Sequence, residues 1–466
     1  MPNSSFIAFC LVVFVGCSNP SLKSDSLVAE SRPNIVVIFA DDIGVETIGA
    51  YGGQYLTPRI DSLSENGVRF DSGHATPVCT TSRTRLMTGT YNFKHYKAFA
   101  HLDPQAYTFS KFLKDSGYQT VVAGKWQLAG NHFDGLRGSY PQDVGFDEHI
   151  VWQLEWNLKG KRYWQPTLTV NDVARTYCKD GFGPTILNNY VLDYIDRKKE
   201  EPFFIYYTPI LAHDPWTTTP DSLHATTKEE KFSGMMEYLD KMVGRVLDKL
   251  DEHRLTENTL IYFIGDNGTH PQITSLRNGQ PVTGGKWYTR DSGTHVPFIM
   301  QWKGSLPAGE IRSGLVDVMD VFPTLVAAVG SNHVAPKKLM KLDGLNLLPY
   351  AKNPDLDPRD WIFMHYDPQW GSDWFQTPMP SARFVFNQDF KLYGDGRFID
   401  MHQDPLEEHP LDVAALKESV QESHQMLLNV MNSMGDGPLA KPFMNPKAAG
   451  VTVPPPHPDC GESESL

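Results

Sequence analysis

One cysteine of this chain keeps basic, hydroxyl-rich company, in the stretch Val78-Cys79-Thr80-Thr81-Ser82-Arg83-Thr84-Arg85-Leu86-Met87-Thr88-Gly89. The stretch predicts a loop that delivers Cys79 to the first turn of a short helix, with Gly89 as its stop. Unpaired N–H groups and the positive end of the helix dipole then surround the sulfur. Arg83, one turn on, adds a fixed positive charge on the same side. Such a place attracts anions. A lone cysteine is more often a buried structural residue, but an apolar pocket is not built from neighbours like these. Two further clusters, Asp41-Asp42 and Asp266-Asn267-Gly268, offer only oxygen ligands. They suit a hard cation such as Ca²⁺ or, second, Mg²⁺, and not zinc. Adjacent carboxylates repel unless a cation or proton lies between them. Alone, a paired aspartate is often a solvated turn.

What lifts these residues above that reading is where they fall. Asn34–Ala40 is a continuous β-branched run, the pattern of a strand buried on both faces of a parallel sheet, and Asp41-Asp42 ends it. The run from Thr120 ends in Lys125, Phe203–Tyr207 is followed by His213, and Thr259–Ile264 leads to Asp266-Asn267. A further run covers Val296–Trp302. Helices are predicted between these runs. One is opened by Thr57-Pro58 and closed by Gly67; others span Thr108–Ser116, Pro184–Lys199 and Glu230–His253. The alternation predicts an α/β fold, a large mixed but mainly parallel sheet flanked by helices. In open parallel sheets ligand sites form at the C-terminal edge of the strands. Four strand ends therefore converge on one site. After about Leu345 short runs at Ala382–Phe386, Phe390–Tyr393 and Arg397–Asp400 read as an antiparallel meander, followed by a helix bearing Leu416, Val420, Leu427 and Met431. The expected organisation is a catalytic domain over 33–345, a smaller C-terminal α+β subdomain over 346–436, and a proline-rich tail over 437–466.

The Cys79 stretch resembles the activation motif of the type I sulfatases, Cys-x-Pro/Ala-x-Arg followed by x-x-Leu-Leu-Thr-Gly. Cys79, Ser82, Arg83, Leu86, Thr88 and Gly89 match, and Thr81 stands where Pro or Ala is usual. The metal pattern also resembles that family, whose Asp-Asp and Asp-Asn-Gly segments hold calcium beside the modified cysteine. Gly124-Lys125-Trp126-Gln127-Leu128, Leu211-Ala-His213-Asp-Pro215, Gly284-Gly-Lys286 and Ser292-Gly-Thr-His295-Val-Pro297 resemble four more of its segments, in the family's order. The resemblance runs over roughly Pro33 to Met434 and implies an alkaline-phosphatase-like fold. It also implies that a maturation enzyme oxidises Cys79 to formylglycine, whose hydrated aldehyde attacks sulfur. Asp41, Asp42, Asp266, Asn267 and the converted Cys79 would hold Ca²⁺. Lys125 and Lys286 would hold the sulfate, Arg83 the formylglycine hydroxyl, and His213 would protonate the leaving group.

Gln127 is the departure that matters. The family usually has His there, and glutamine cannot take up a proton near neutral pH. His295, where the family often has Arg, is the candidate for a compensating base or a substrate contact. Aromatic loops around Tyr91–Tyr96, Trp152–Trp164, Trp216 and Trp361–Trp374 suit stacking on sugar rings, with Trp216 singled out. A sulfated glycan is the expected substrate. Two alternatives stay open: a phosphate or phosphonate ester hydrolase of the same superfamily, and a catalytically weak glycan-binding surface protein.

The rest of the chain bounds the setting. With 42 Lys+Arg against 55 Asp+Glu, a general nucleic-acid binder is excluded. The apolar run Phe6–Val15 is too short to span a bilayer and reads as a signal-peptide core. Val15-Gly16-Cys17 resembles a bacterial lipobox, so residues 1–17 are expected to be a leader and 18–32 a polar tether. The expectation is an exported periplasmic or outer-membrane lipoprotein that meets membrane through a lipid anchor. Cys178 and Cys460 are too few for a disulfide framework, and a bridge between them is open.

Overall fold

Along Asn34–Ala40, strand β1, side chains alternate between two hydrophobic clusters. Val36, Ile38 and Ala40 meet residues of helices Gly183–Lys198 and Lys228–Glu252, among them Leu187, Val191, Met235 and Leu239. Ile35, Val37 and Phe39 meet Phe109, Phe112, Phe322 and Leu325 on the opposite side. A strand buried on both faces needs helices on both faces, and the sequence supplies them. The computed structural model describes Met1 and residues 32–130, 137–155, 160–330, 342–356, 358–368 and 381–434. The chain divides into Met1–Ser31 and Arg32–Leu466, and the described secondary structure belongs to the second unit. Residues 2–31 of the expected leader and tether and the whole expected tail, with Cys10, Cys17 and Cys460, lie outside the described residues. Cys178 is disulfide-bonded.

The remaining strands are β2 Val68–His74, β3 Gln119–Lys125, β4 Glu148–Trp152, β5 Thr167–Val170, β6 Val173–Thr176, β7 Phe203–Thr208, β8 Thr259–Gly265, the hairpin β9 Thr274–Arg277 and β10 Gln280–Thr283, then β11 Phe298–Gln301 and β12 Glu310–Asp317. Nine of them join β1 in one ten-stranded sheet, in the order β12-β2-β11-β8-β1-β7-β3-β4-β5-β6. The run β8-β1-β7-β3-β4 is parallel throughout. β11 runs antiparallel between β2 and β8, and β5 and β6 extend the other end antiparallel. Because β11 reverses direction on both sides, β2 points the same way as β8. All the expected site residues therefore leave from one edge.

The predicted helices form close to their expected bounds: α1 Pro58–Glu65, α2 Cys79–Thr88, α3 Phe109–Asp115, α4 Gly183–Lys198 and α5 Lys228–Glu252. Thr227 and Glu230 cap α5 reciprocally. Thr57 does not cap α1 as expected; its hydroxyl instead accepts from Gly49 N (2.8 Å) and donates to Asp61 Oδ1 (3.1 Å). A four-stranded antiparallel sheet, β13 Ile362–Tyr366, β14 Ala382–Phe386, β15 Phe390–Tyr393 and β16 Phe398–Asp400, and the helix Glu418–Ser433 make the C-terminal part. β13 lies inside the expected aromatic loop Trp361–Trp374. Its Phe363 packs edge-on against Tyr91, so these two rings are core rather than substrate contacts, and Trp370 and Trp374 of the expected loop lie outside the described residues. Buried Arg85 ties the two parts together: Nε donates to Asp317 Oδ1 (2.8 Å) at the end of β12 and Nη2 to the Phe363 carbonyl (3.0 Å).

Candidate functional site

Register does much of the positioning. Ala40 faces Gly265 across β1 and β8, so Asp41 and Asp266 leave neighbouring strands side by side. Asp42 adopts a left-handed backbone, φ 60°, which suits the turn that brings its carboxylate back toward Asp266. Its N–H donates to Asp266 Oδ1 at 3.0 Å, and Asn267 Nδ2 donates to Asp42 Oδ1 at 2.9 Å. Helix α2 follows β2 and begins at Cys79 as expected, with Gly89 at φ 63° ending it. Ligand atoms of Asp41, Cys79 and Asp266 lie within 4.8 Å of one another, as do those of Asp41, Asp42 and His213. All these residues but the partly buried His213 are buried.

Three buried cations face the three carboxylates. Lys125 Nζ donates to Asp41 Oδ1 (2.7 Å), Lys286 Nζ to Asp42 Oδ2 (2.6 Å), and Arg83 Nη2 to Asp266 Oδ2 (3.0 Å). Arg83 Nη1 also donates to the Lys125 carbonyl at 3.0 Å. Just before Lys125, the close pairing of β3 with β7 needs Gly124, where φ is 124° and a Cβ would lie 1.8 Å from the Thr208 carbonyl oxygen. Burial alone would raise the Asp41 carboxyl, but Lys125, with His213, Arg83 and Lys286, holds it well below the usual carboxylate range. Asp266 goes the other way: burial, then the Asp41 carboxylate, push it up to about 7. Two oxygens here, Asp41 Oδ2 and Asn267 Oδ1, are buried with no hydrogen-bond partner. Buried acceptors are rarely left unsatisfied. An all-oxygen donor set with two such atoms could hold a hard divalent cation.

His213 has a defined tautomer. Nδ1 must donate, because it lies 2.6 Å from the Asp214 carbonyl, so Nε2 is left to accept from Lys286 Nζ at 3.0 Å. Burial lowers its imidazole below the ordinary value, Lys286 adding and Asp42 opposing. Burial also raises the Cys79 thiol, with Lys125 opposing. An unconverted Cys79 is thus a protonated, poor nucleophile near neutral pH.

Above the sulfur opens a cavity of about 750 Å³, lined by Cys79, Gln127, His213, Lys286 and an aromatic wall of Trp152, Trp164, Trp216 and Trp287. Trp216 is where the sequence expected it. Gln127 has φ 53° and its amide Nε2 donates to the Gln153 side-chain oxygen. Gln153 was not foreseen; it arrives because Lys125 and Trp152 pair across β3 and β4. Asp42, Gln127, Gln153 and Trp287 all hold positive φ without being glycine, an arrangement that costs roughly 1–3 kcal/mol per residue and gathers at functional sites.

His295 does not join them. Nε2 donates to the Asp71 carbonyl (2.7 Å), Nδ1 faces Asp291 (3.1 Å), and the ring stacks on His74, 5.2 Å between centroids. Burial would lower its imidazole, but Asp291 raises it above the ordinary value. With both nitrogens donating it is no proton acceptor, and it does not line the cavity. The expected base or substrate-binding role is therefore corrected to an anchor between β2 and the turn before β11.

The sulfatase family model matches residues 33–331. An N-acetylgalactosamine-6-sulfatase of Canis lupus familiaris is 27% identical over 383 residues, 73% of this chain and 70% of that protein. An N-acetylgalactosamine-6-O-sulfatase of Bacteroides thetaiotaomicron is 26% identical over 392 residues, 68% and 76% of the two chains. The crystal structure of Ps i-CgsB in complex with k-i-k-neocarrahexaose shares the fold, with a TM-score of 0.71 over 89% of this chain and 95% of its own at 22% identity. With the family model covering well over half of the sequence and the cysteine, carboxylate and lysine motifs gathered at one sheet edge, the chain belongs to the sulfatase family and is a sulfuric ester hydrolase.

Proposed function

We propose that this enzyme removes sulfate from a carbohydrate, using formylglycine made from Cys79 by a maturation enzyme and a Ca²⁺ ion held by Asp41, Asp42, Asp266 and Asn267. The observation that carries the reading is the convergence of Asp41, Asp42, Asp266, Asn267 and Lys125 beside Cys79 and Lys286, which line a tryptophan-walled cavity. Arg83, Lys125 and Lys286 balance Asp41, Asp42 and Asp266 charge for charge. A bound dication leaves the floor net positive, which is what a sulfate ester and an attacking oxyanion require. It also offsets the burial and the Asp41 repulsion that together keep the Asp266 carboxyl raised. The hydrated aldehyde supplies a hydroxyl nucleophile where a buried thiol would be inert. Arg83 and Lys125 lie beside that position, and Lys286 and His213 lie where the alkoxide departs. His213, once protonated at Nε2, would give that proton to the leaving oxygen, while the Lys286 ammonium, held charged by Asp42, steadies the negative charge that develops there. The tryptophan faces suit the apolar faces of sugar rings.

Sulfate release from a panel of sulfated mono- and oligosaccharides should exceed release from 4-nitrophenyl sulfate by about tenfold or more in kcat/KM for at least one sugar, because remote binding energy is spent at the reacting centre. Preference for the aryl ester over every sugar would overturn the carbohydrate assignment. Faster phosphate release from matched phosphate esters would move the enzyme to the phosphohydrolase class.

Gln127 orients rather than titrates in this scheme. Gln127→Asn should lower kcat by about ten- to a hundredfold, since a misplacement near 1 Å costs that much. Gln127→His should keep activity near the parent level. Asn and His both tolerate the left-handed backbone at this position, so any loss reports reach and not strain. Steady-state kinetics check this, and full activity in Gln127→Asn sinks the orienting role.

A further inference from the structure

The cavity wall carries a cation that the catalytic floor does not use. Arg162 lines the cavity, and its guanidinium lies 3.9 Å from the centre of the Trp152 ring. Among the described residues it makes no hydrogen bond and no ion pair, and Nη1 is shielded from solvent without a partner. A desolvated donor with no acceptor is costly, and an arginine with none at the wall of a binding cavity is unusual. The neighbouring groups are committed elsewhere. Asp214 faces His213 Nδ1 at 3.0 Å, and Lys161 Nζ donates to Gln165 Oε1 at 3.1 Å. Arg83, Lys125 and Lys286 each hold a carboxylate.

The position is also stiff. The hydroxyl of buried Tyr163 lies 2.9 Å from the Ile210 carbonyl and also contacts that of His213. Trp164 Nε1 donates to Thr218 O at 2.9 Å, and a Cβ at Gly183 would come within 2.0 Å of the Arg162 carbonyl. The guanidinium is thus presented from an anchored wall, close over an indole face. A planar fork of donors so held matches the oxygens of a sulfate or carboxylate.

We propose that Arg162 reads a second anionic group of the substrate, a sulfate or a carboxylate on the same or the adjoining sugar, so that the enzyme prefers multiply charged glycan fragments. This rests on the carbohydrate sulfatase reading above. Three substrates separate the sources of the charge: a monosulfated hexose, the same hexose with a second sulfate, and a monosulfated disaccharide whose other ring is a hexuronate. For the parent enzyme, kcat/KM should favour at least one dianionic substrate over the monosulfated hexose. In Arg162→Gln that ratio should fall by about tenfold or more, through KM and not kcat, with partial recovery in Arg162→Lys. Which dianionic arm responds tells sulfate from carboxylate. An unchanged ratio, or a loss equal for all three substrates, overturns the proposal. Calorimetric titration of Cys79→Ala with the dianionic sugars reads the same contact without turnover. Cys79→Ala/Arg162→Gln should bind about tenfold more weakly. Equal affinity, or no binding to Cys79→Ala, overturns the inference, whereas failure of sulfate release alone overturns the functional reading it rests on.

Discussion

Cys79→Ala is expected to cut sulfate release by a factor on the order of 10³ or more while the protein stays folded, because the nucleophile is lost outright. The loss of a thiol at the start of α2 removes little packing, so the melting temperature should move by no more than a few degrees. Protein made without a maturation enzyme should be folded and equally inactive, since burial keeps its Cys79 thiol protonated. Mass spectrometry of the tryptic peptide supplies the control: active preparations should contain the peptide in a form lighter than cysteine, in proportion to activity. Substantial turnover by Cys79→Ala, or activity that does not follow the lighter peptide, would remove the formylglycine assignment.

The second large effect concerns the cation. Saturating Ca²⁺ at about 100 times Kd should stabilise the chelator-treated protein by about 2.7 kcal/mol, read as a rise in melting temperature. Activity should fall by a factor on the order of 10² or more on chelation and return with Ca²⁺. Asp41→Asn should abolish the thermal response. It should also lower stability without Ca²⁺, because Lys125, fully buried and 2.7 Å from Asp41, loses its counter-charge. Breaking a buried pair from one side costs about 3–5 kcal/mol. An equal Ca²⁺-induced shift in parent and Asp41→Asn places the ion elsewhere.

The β-branched runs were legible because strands buried on both faces cannot hide their apolar pattern, as Asn34–Ala40 and Thr259–Gly265 show. Short strands with mixed burial were not. Val173–Thr176 is partly exposed, and Ile362–Tyr366 was masked by flanking aromatics that read as a loop. Thr57 had the right type for a cap and found better partners in Gly49 and Asp61, a choice that a chain alone does not announce.

By itself the sequence determined which chemistry-bearing residues are present and where along the chain they fall. A cysteine at a basic helix start, oxygen donors closing two strands, and lysines and a histidine closing others are local facts, set by residue type and by strands that must end somewhere. Tertiary structure decided the company each residue keeps. Register across β1 and β8 set Asp41 beside Asp266; the pairing of β3 with β4 gave Gln127 its partner Gln153. His295 was lost to the site because its ring stacks on His74 and its nitrogens are taken by the Asp71 carbonyl on β2 and by Asp291. Arg162 emerged because, among the described residues, the neighbouring Asp214 pairs with His213 and no carboxylate forms an ion pair with the guanidinium. Residue type fixes what a side chain can do, but which partners remain available is a property of the packed neighbourhood, and packing joins segments far apart in the chain.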